Sequence, residues 1–537
     1  MRPSVADFFC GAGGFSEGFR QAGFEVAFAL DNWKPAIATH EFNHPGCKHF
    51  LGDILAVPYN KIDELVPDTD VIVGSPPCVA FSHSNKAGKG DKSLGMALIH
   101  KYLQIVAIKK NKKGSRLRYW VLENVPNSAK HIKDSYTFEE LGLPGGDRVA
   151  LTIVTRGIYN AADYGAPQTR KRFLCGDFIE PKKTNEGEWI HMRDVLATLG
   201  SPTSDSEGKV KDPVFGFTIP KRYLTDHLYD TTIEEFEWKQ ARRLKEDHGY
   251  MGRMSFPENL DRPSRTIMAT QSAVSRESVI FASGKKGRYR LPTIREIASF
   301  MSFPITYQFI GNSESVKYKL VGNAVCVKLS ESVADAMLGS MKMKHVDEPN
   351  PHKDLDSMLD RVPFKLDGRE YKKREPSKRR SVARFKMHVP HIKVKGFRVE
   401  LDNQDSDFAK GKVVWKARLH YGAGMGAKAF IIDSKRIAKG FNGDGQFKRY
   451  RAELSSEMSK ITDDPKKLQE IYCRLNDSGP GPEEFLHDVR ELIDRNYPEE
   501  TFVENRKGML PVPRDIIPQR VLAALYACQL LSERFKR

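Results

Sequence analysis

A cysteine follows two prolines close to the point where a predicted buried strand ends. The apolar run Val71–Val73 leads into Pro76, Pro77 and Cys78. The prolines restrict the backbone, and the carboxyl end of such a strand faces the crevice where open α/β sheets bind ligands. We therefore predict that Cys78 is a nucleophile. A lone cysteine is more often a small apolar filler, so this interpretation depends on the segments that accompany it.

A glycine-rich turn and two acidic residues indicate a nucleotide-type site. The turn follows the first predicted strand and consists of Phe9, Cys10, Gly11, Ala12, Gly13 and Gly14. Such a turn lets the backbone approach a ligand closely. Asp31 ends the next predicted strand, where a carboxylate can accept hydrogen bonds from ribose hydroxyls, and Asp53 and Ile54 follow where an adenine would fit. A structural turn and solvated caps are the alternatives.

A further group of polar residues follows the later apolar runs. Glu123 ends the run Tyr119–Leu122 on the same side of the predicted sheet as Cys78, and a partly buried glutamate can keep its proton. Arg170 and Arg172 alternate along a predicted strand and so share one face. From that face they can hold a phosphate or a base oxygen. An exposed basic strand is the simpler alternative.

The elements that position these residues have the pattern of a parallel α/β sheet. Residues 4–180 alternate helix-like stretches such as Leu98–Lys110 with short apolar runs at Val5–Phe9, Glu25–Leu30, Val71–Val73, Tyr119–Leu122 and Leu151–Val154. Residues 181–289 are irregular, which predicts an inserted lobe built of loops. Helices are predicted again at Thr293–Met301 and Ala324–Met341. The first domain is thus expected to comprise residues 1–180 and 290–345.

The rest of the chain is predicted to form a linker, residues 346–380, and a separate α+β domain, residues 381–537. Residues 371–451 hold 22 Lys and Arg against 7 Asp and Glu, whereas residues 452–537 hold 13 against 16. The basic part alternates like strands, and the acidic part has the periodicity of helices, for example over Pro482–Asn496 and Pro518–Phe535. The positive charge is therefore local to one half of this domain.

Three roles are open for the C-terminal domain. Its basic charge favours non-specific DNA binding. A metal-dependent nuclease is conceivable on Asp433, Asp444 and Glu453, although their spacing is generic. Docking of a partner protein from a defence system is the third role. His388 and His391 have no cysteine partners, which is more typical of surface histidines than of a metal site.

Composition limits the class of protein and its compartment. A chain of 537 residues is too long for one compact core, so two or three domains are expected. The net charge of +17 favours a polyanionic partner such as nucleic acid. The 7 cysteines have no paired spacing, and no window approaches about 18 uninterrupted apolar residues. We therefore expect a cytoplasmic protein without a membrane span.

Six segments, taken in order, resemble the motifs of the cytosine-5 DNA methyltransferases. They are Phe9–Gly14, Gly74–Ser82, Glu123–Val125, Gln168–Arg172, Arg290–Glu296 and Gly322–Val325. The resemblance covers about residues 1–345, with a long variable stretch before the last two segments. One residue departs from the pattern, because Val79 stands where the family commonly has glutamine. That change concerns a loop contact to DNA and not the nucleophile.

The resemblance implies a Rossmann-like fold and transfer of a methyl group from S-adenosylmethionine to carbon 5 of cytosine in duplex DNA, with no metal expected. In this chemistry the Cys78 thiolate adds to carbon 6 of a base that is flipped out of the duplex, and Glu123 supports the ring nitrogen. Arg170 and Arg172 match the residues that hold the flipped base and the catalytic loop. Residues 181–289 resemble the family's target recognition domain.

The resemblance also implies binding residues and a setting. The cofactor pocket would combine the glycine-rich turn with Asp31, Asn32, Asp53, Ile54, Pro77, Asn323 and Val325. The candidate DNA contacts are Ser82, Arg265 and Arg276, where phosphate contacts are more frequent than base reading. A prokaryotic restriction-modification or other defence setting is expected. A methyltransferase of structured RNA and a catalytically silent DNA-binding relative are the alternatives, and the oligomeric state is left open.

Overall fold

Two compact units make up the protein. The computed structural model describes residues 2–77, 92–246, 254–284, 287–345, 348, 350–422, 427–441, 443–476, 478–505, 510–512 and 514–536. The first unit consists of Met1–Ile233, Pro257–Ala273 and Glu277–Lys372. The second consists of Glu234–Phe256, Val274–Arg276 and Lys373–Arg537. Hydrophobic core clusters lie within each unit.

The first unit is built on a seven-stranded sheet. The strands up to residue 177 are β1 (Ser4–Phe8), β2 (Glu25–Asp31), β3 (Lys48–Leu51), β4 (Val71–Gly74), β5 (Tyr119–Asn124), β6 (Ser135–Thr137), β7 (Val149–Thr152), β8 (Thr155–Asn160), β9 (Gln168–Thr169) and β10 (Lys171–Asp177). The order in the sheet is β3-β2-β1-β4-β5-β10-β8. β1 to β5 pair in parallel, and β10 is antiparallel to both β5 and β8.

The order of the parallel strands explains where polar residues meet. Every residue of β1 and β4 is buried, as expected for central strands that are covered on both faces. The chain runs from β1 outward to β2 and β3 on one side, and then returns to β4 and β5 on the other. Such a reversal opens a crevice outside the carboxyl ends of the strands. Residues that follow β1, β2, β4 and β5 therefore share one edge of the sheet.

The helices belong to both units. In chain order they are α1 (Gly14–Ala22), α2 (Lys34–Asn43), α3 (Ile62–Leu65), α4 (Ser93–Asn111), α5 (Met192–Leu199), α6 (Glu235–Glu246), α7 (Ile294–Phe300), α8 (Glu314–Asn323), α9 (Val327–Ser340), α10 (Leu355–Arg361), α11 (Ser434–Ala438), α12 (Gly445–Lys460), α13 (Pro465–Tyr472), α14 (Pro482–Asn496) and α15 (Gln519–Arg534). In the first unit α1 packs against α9. Within the described ranges, no helix is long and apolar enough to cross a bilayer.

The sheet differs in two respects from the sequence-based expectation. The run Leu151–Val154 was expected to belong to the parallel sheet, but β7 pairs with β6 in a separate two-stranded sheet. Val154 is exposed, so this run is not a central strand. The outer strands β10 and β8 are antiparallel, and the sheet is therefore mixed.

One helical prediction needs correction, and the stretch predicted as a linker contains a helix. The helix expected over Ala324–Met341 begins only at Val327, since an extended turn precedes it. A Cβ on Gly14 would lie 2.1 Å from the Val325 carbonyl oxygen, so this turn passes directly over α1 at its glycine. The stretch 346–380, expected as a linker, contains α10. Its Asp367 carboxylate accepts backbone hydrogen bonds from residues 226–228, which fixes part of the stretch on the first unit.

Short strands characterise residues 181–290. They are β11 (Lys209–Lys211), β12 (Thr218–Pro220), β13 (Thr232–Ile233), β14 (Ser264–Arg265), β15 (Phe281–Ala282) and β16 (Tyr289–Arg290). β14 pairs in parallel with β9 in a separate two-stranded sheet, which ties this region to the chain just before β10. Helix α6 lies in the same stretch of sequence but belongs to the second unit.

The second unit combines an antiparallel sheet with helices. Its strands are β17 (Lys386–Val394), β18 (Phe397–Asp402), β19 (Lys416–Tyr421), β20 (Lys428–Phe430), β21 (Phe502–Glu504) and β22 (Ile516–Pro518). The first four form one sheet in chain order. α15 packs against β18 and β19, and α14 packs against β17. Both helices carry the apolar periodicity predicted for them, and together with the sheet they enclose the core of this unit.

Candidate active site

The turn between β1 and α1 is anchored on one side and open on the other. Gly13 N–H donates to the Cys10 carbonyl at 2.8 Å, and Tyr307 Oη donates to the Ala12 carbonyl at 2.6 Å. Gly13 has a left-handed φ of 87°, and a Cβ there would lie 2.5 Å from Tyr307 Oη. A Cβ on Gly11 would meet no heavy atom within 4 Å. The turn therefore leaves space for a ligand above Gly11.

Asp31 lies beside this turn at the end of β2. Its Oδ2 accepts a hydrogen bond from Gly11 N–H at 3.0 Å, and its Oδ1 accepts one from Trp33 N–H at 2.8 Å. Burial raises the pKa of Asp31, and the backbone donors only partly oppose this effect. The neighbouring Asn32 is exposed. The predicted ribose-binding carboxylate is thus fixed at the edge of the open space.

The predicted adenine side follows β3. Asp53 is exposed, and its Oδ1 accepts a hydrogen bond from Leu55 N–H at 2.9 Å, as a capping residue does. Ile54 is buried beneath it. Gly52 N–H donates to the Asp31 carbonyl at 3.1 Å, which connects this segment to the end of β2. A polar residue and an apolar residue therefore lie next to the Asp31 site.

The end of β4 is fixed to both neighbouring strands. Ser75 N–H donates to the Phe8 carbonyl at 3.1 Å, and Ser75 Oγ donates to the Phe9 carbonyl at 3.1 Å. Asn124 Nδ2 donates to the Pro76 carbonyl at 3.1 Å. Pro77 follows and is exposed. The predicted residues Cys78 and Ser82, and the departure Val79, lie outside the described residues.

Glu123 forms a buried ion pair at the end of β5. Its Oε1 lies 2.8 Å from Arg172 Nε, and about one-tenth of each side chain is exposed. Burial raises the pKa of Glu123, while the positive charges of Arg172 and Arg170 oppose this shift. The net direction is upward. The carboxyl group therefore combines a fixed orientation with a tendency to keep its proton.

Arg170 has different partners from Arg172. It is buried, and its guanidinium donates to the carbonyls of Ile267 at 2.9 Å, Gly322 at 2.9 Å and Ala324 at 3.0 Å. These carbonyls belong to two segments far from β10 in sequence. Arg170 thus holds together the backbone around the site, whereas Arg172 contacts the acidic residue directly.

The remaining predicted cofactor residues lie at the end of α8 and in the turn that leads to α9. Asn323 is the last residue of α8 and is exposed, whereas Val325 is buried above Gly14. Two residues that were not predicted support the same site. Asn124 lies within the segment Glu123–Val125, so the resemblance of this segment to a family motif could have indicated its role. No sequence pattern indicated Tyr307, because its partner Ala12 is 295 residues away in sequence.

The two arginines predicted to contact DNA belong to different units. Arg265, in the first unit, is paired with Glu258 and donates to the Ser278 carbonyl at 2.9 Å. Arg276 lies in the second unit, where its carbonyl accepts a hydrogen bond from Lys245 Nζ at 3.1 Å. Arg265 is therefore committed to protein partners in this structure.

The three acids considered for a nuclease lie in the second unit and have structural partners. Asp433 caps α11 and Asp444 caps α12, each through a backbone N–H at 2.8 Å. Glu453 pairs with Arg449 at 2.9 Å and with Arg495 at 3.3 Å. Among the described residues, neither these acids nor the pair His388 and His391 belong to a group that could hold a metal ion. In the part of the chain that the structure describes, the three acids that made a nuclease conceivable therefore serve as helix caps and an ion-pair partner.

The strand order and the anchored glycine turn put the first unit in the Rossmann-like methyltransferase class. Comparison with known families narrows this class: residues 4–339 match the family model described as C-5 cytosine-specific DNA methylase. The chain belongs to this family, and it is a DNA (cytosine-5-)-methyltransferase. The family generally uses S-adenosylmethionine.

Individual relatives match the same part of the chain. The chain is similar to type II methyltransferase M.NgoPII of Neisseria gonorrhoeae, with 26% identity over 344 residues that cover 62% of this chain and 94% of the relative. Type II methyltransferase M.HindV of Haemophilus influenzae is 30% identical over 345 residues, which cover 63% and 96%. The solved S. pombe Dnmt2 methyltransferase is 17% identical and has a TM-score of 0.42, with coverage of 64% and 100%.

Proposed function

We propose that the enzyme methylates carbon 5 of cytosine in duplex DNA with S-adenosylmethionine, as part of a restriction-modification or other defence system in a prokaryotic cytoplasm or nucleoid. One observation carries the proposed catalytic site. The Glu123–Arg172 pair lies at the edge of the sheet where the segment before Cys78 is tied to Asn124, the neighbour of Glu123. The names of the relatives, type II methyltransferases, support the setting.

The residues around the glycine turn fit S-adenosylmethionine. The space above Gly11 accommodates a ligand, and Asp31 offers a carboxylate suited to ribose hydroxyls. Asn32, Asp53, Ile54, Pro77, Asn323 and Val325 would complete the pocket. When bound, S-adenosylmethionine supplies an electrophilic methyl group. The residues of the chain bind it, orient it and exclude water from it.

Cys78 is the proposed nucleophile. Carbon 5 of cytosine is a weak nucleophile until a thiolate adds to carbon 6 and forms a sulfur–carbon bond, which moves electron density onto carbon 5. After methyl transfer, a base removes the proton on carbon 5. The sulfur–carbon bond then breaks, its electron pair restores the double bond between carbons 5 and 6, and the free Cys78 thiolate is regenerated.

Glu123 acts on the ring nitrogen during the addition. A carboxylic acid with a raised pKa can donate a hydrogen bond or proton to this nitrogen as negative charge develops, an effect typically of about 10² to 10⁴ in rate. Arg172 keeps the acid in one orientation. Arg170 keeps the Gly322–Ala324 backbone in position, next to residues proposed for the cofactor pocket.

The target cytosine must rotate out of the base stack of the duplex, which costs a few kcal/mol. Contacts to phosphates offset part of that cost. We assign such contacts to Ser82, Arg265 and Arg276, and to the basic half of the second unit. In that half, Lys386, Lys393 and Lys395 are among the exposed cations. An Arg265 that contacts DNA would first have to release Glu258.

The test is methyl transfer from radiolabelled S-adenosylmethionine, followed by nucleoside analysis. Wild type, Cys78→Ala and the control Cys528→Ala are each incubated with duplex DNA of diverse sequence or with tRNA. Cys528 is buried in α15 of the second unit, so its replacement removes a buried thiol that belongs to the core of the other unit. The DNA reactions are run at two salt concentrations, because phosphate contacts weaken as salt rises.

We expect label in 5-methylcytosine from DNA with wild type and Cys528→Ala, and none with Cys78→Ala. Label that persists in Cys78→Ala would contradict the covalent mechanism. Label in tRNA alone would move the substrate to structured RNA. Absence of label with all nucleic acids would favour a catalytically silent DNA-binding protein.

A further inference from the structure

Three potential metal ligands converge beside α1, on residues that have no role in the proposed methyl transfer. The cluster adjoins the glycine-rich turn, because a Cβ on Gly13 would lie 3.1 Å from His40 Cδ2. They are His40 of α2, Cys47 in the following loop and His49 of β3. Their ligand atoms all lie within 4.8 Å of one another, and His40 Nδ1 is 2.8 Å from His49 Nε2. His40 and Cys47 are buried, whereas His49 is half-buried. One thiol and two imidazoles therefore face a common point that solvent can reach from one side.

The contacts behind the two rings favour lone pairs on the nitrogens that face each other. Ser16 Oγ donates to Asp7 Oδ2 at 2.7 Å, so it is available as an acceptor for His40 Nε2–H, which lies 2.8 Å away. The His40 proton is then on Nε2, and Nδ1 has a lone pair. The carbonyl of Cys47 is a hydrogen-bond acceptor for the His49 ring. Since His49 Nε2 faces His40, its Nδ1 is the nitrogen suited to that bond.

We propose that His40 Nδ1, Cys47 Sγ and His49 Nε2 bind one Zn²⁺ ion, with water in the fourth position. Imidazole nitrogen and thiolate sulfur are typical zinc ligands, and Mg²⁺ and Ca²⁺ prefer oxygen. Binding releases the thiol proton of Cys47 to solvent. The chain from His40 through Ser16 to Asp7 is the kind of outer contact that orients a metal-bound histidine.

The ion would serve the structure and not the methyl transfer. It would join α2 to β3 and, through Ser16, to the start of α1, directly after the glycine-rich turn. Without a metal, the lone pairs of two neutral rings at this distance repel each other unless one ring places its proton between them. That ring must then give up its hydrogen bond to Ser16 or to the Cys47 carbonyl. A metal ion satisfies both lone pairs and keeps both outer contacts.

A second group allows an internal comparison. Glu331, Asp335 and His345 also lie close enough to hold an ion, but Asp335 and His345 are exposed and none of the three has sulfur. His345 Nδ1 is already 2.7 Å from Asp335 Oδ1. Such surface groups are common without metal. A spectrum that requires sulfur coordination therefore distinguishes the proposed site from this group.

The experiment is titration of the full-length chain with Co²⁺, which reports tetrahedral thiolate coordination through a sulfur-to-metal charge-transfer band and visible d–d bands. All proteins carry Cys78→Ala, so that the proposed nucleophile contributes no thiolate. The variants are Cys47→Ser and His49→Ala, with His345→Ala as the matched control. Zn²⁺ is then added to displace Co²⁺, and melting temperatures are measured with and without Zn²⁺.

We expect one equivalent of Co²⁺ to give the charge-transfer band in the Cys78→Ala background, and an excess of Zn²⁺ to abolish it. The band should disappear in Cys47→Ser and persist in His345→Ala. In His49→Ala the apparent affinity for Co²⁺, measured from the band, should fall at least tenfold. Zn²⁺ should raise the melting temperature by several degrees, because it binds the folded state. Absence of the band in the background protein, or its persistence in Cys47→Ser, would overturn the proposal, and neither result depends on methylation activity.

Discussion

Each unit contains a glutamate that is buried in a strand, and the two acids differ in what surrounds them. Glu123 lies near the end of β5 and has an arginine at 2.8 Å, yet burial still raises its pKa. Glu400 lies within β18, where burial also acts to raise its pKa. There His420, His388 and Lys386 outweigh burial, and the pKa of Glu400 is lowered. Burial alone therefore does not decide the charge of a strand glutamate.

The positions of the two residues explain the difference. Glu123 is at the edge of a parallel sheet, where the crevice brings polar groups from different strands together. Glu400 Oε1 lies 3.5 Å from Lys386 Nζ on β17 and 3.2 Å from His420 Nε2 on β19, so its carboxylate has partners on both neighbouring strands. An acid with a raised pKa beside a crevice suits proton donation, whereas an acid with a lowered pKa inside a sheet suits anchoring.

The largest expected effect comes from Glu123→Gln. This variant tests whether Glu123, and not Glu400, takes part in the methylation chemistry. The amide cannot transfer a proton to the ring nitrogen, so kcat for DNA methylation should fall by about 10² to 10⁴ with little change in KM. Steady-state kinetics with labelled S-adenosylmethionine measure both constants. Glu400→Gln is the matched control and should keep the wild-type kcat. A Glu123→Gln enzyme with kcat within tenfold of wild type would refute the assignment.

The next expected effect separates the two arginines that the sequence grouped together. Arg170→Ala leaves three buried carbonyls without a donor, and should destabilise the first unit by about 3 kcal/mol or more. Arg172→Ala removes the charge that opposes the upward pKa shift of Glu123. It should therefore move the pH profile of kcat to higher pH, with a smaller loss of stability.

Thermal unfolding and the pH profile of kcat measure these two outcomes, and Arg172→Lys serves as the control that retains the charge. If Arg170→Ala shifts the pH profile while Arg172→Ala does not, the roles are reversed. If neither variant changes stability, the hydrogen bonds of Arg170 are replaced by water and its structural role is minor.

The local pattern of the chain was enough to predict the strands that form the edge of the proposed site. β1, β2, β4 and β5 coincide within one or two residues with the predicted apolar runs, since central parallel strands are continuously apolar. The locations of Glu123 and Asp31 then follow from the rule that the carboxyl ends of parallel strands meet at one edge of the sheet. The α14 segment was predicted with its bounds, because its apolar spacing is helical and proline is at its first position.

What could not be predicted depends on contacts between distant parts of the chain. Arg170 bonds carbonyls up to 154 residues away, and no spacing rule indicates them. The acids Asp433 and Asp444 resemble metal ligands in sequence, but helix caps require the same residue type. The break before Val327 arises from the approach of Val325 to Gly14, which a helical periodicity does not reveal.

The smallest expected effect is the pH dependence of stability, in which the two glutamates should have opposite signs. The folded pKa of Glu400 is below its ordinary value of 4.5, so its ionised form stabilises the second unit above about pH 4.5, and this contribution is lost as pH falls through the folded pKa. The folded pKa of Glu123 is above 4.5, so its contribution is complete below that pH and is lost as pH rises through the folded pKa.

Hydrogen exchange of the β18 and β5 amides, corrected for intrinsic rates, measures each effect locally. Glu400→Gln should weaken protection of β18 at pH 7 by about 1 kcal/mol, because it removes the pairing of Glu400 with Lys386. The effect stays small because Lys386 is partly exposed and its charge is screened. The difference in protection between wild type and Glu400→Gln should shrink as pH falls below 4.5. The difference in protection of β5 between wild type and Glu123→Gln should instead shrink as pH rises, because wild-type Glu123 then loses its stabilising contribution. Equal signs would mean that burial dominates at both sites, and the cross-strand partners of Glu400 would then have no net effect on its charge.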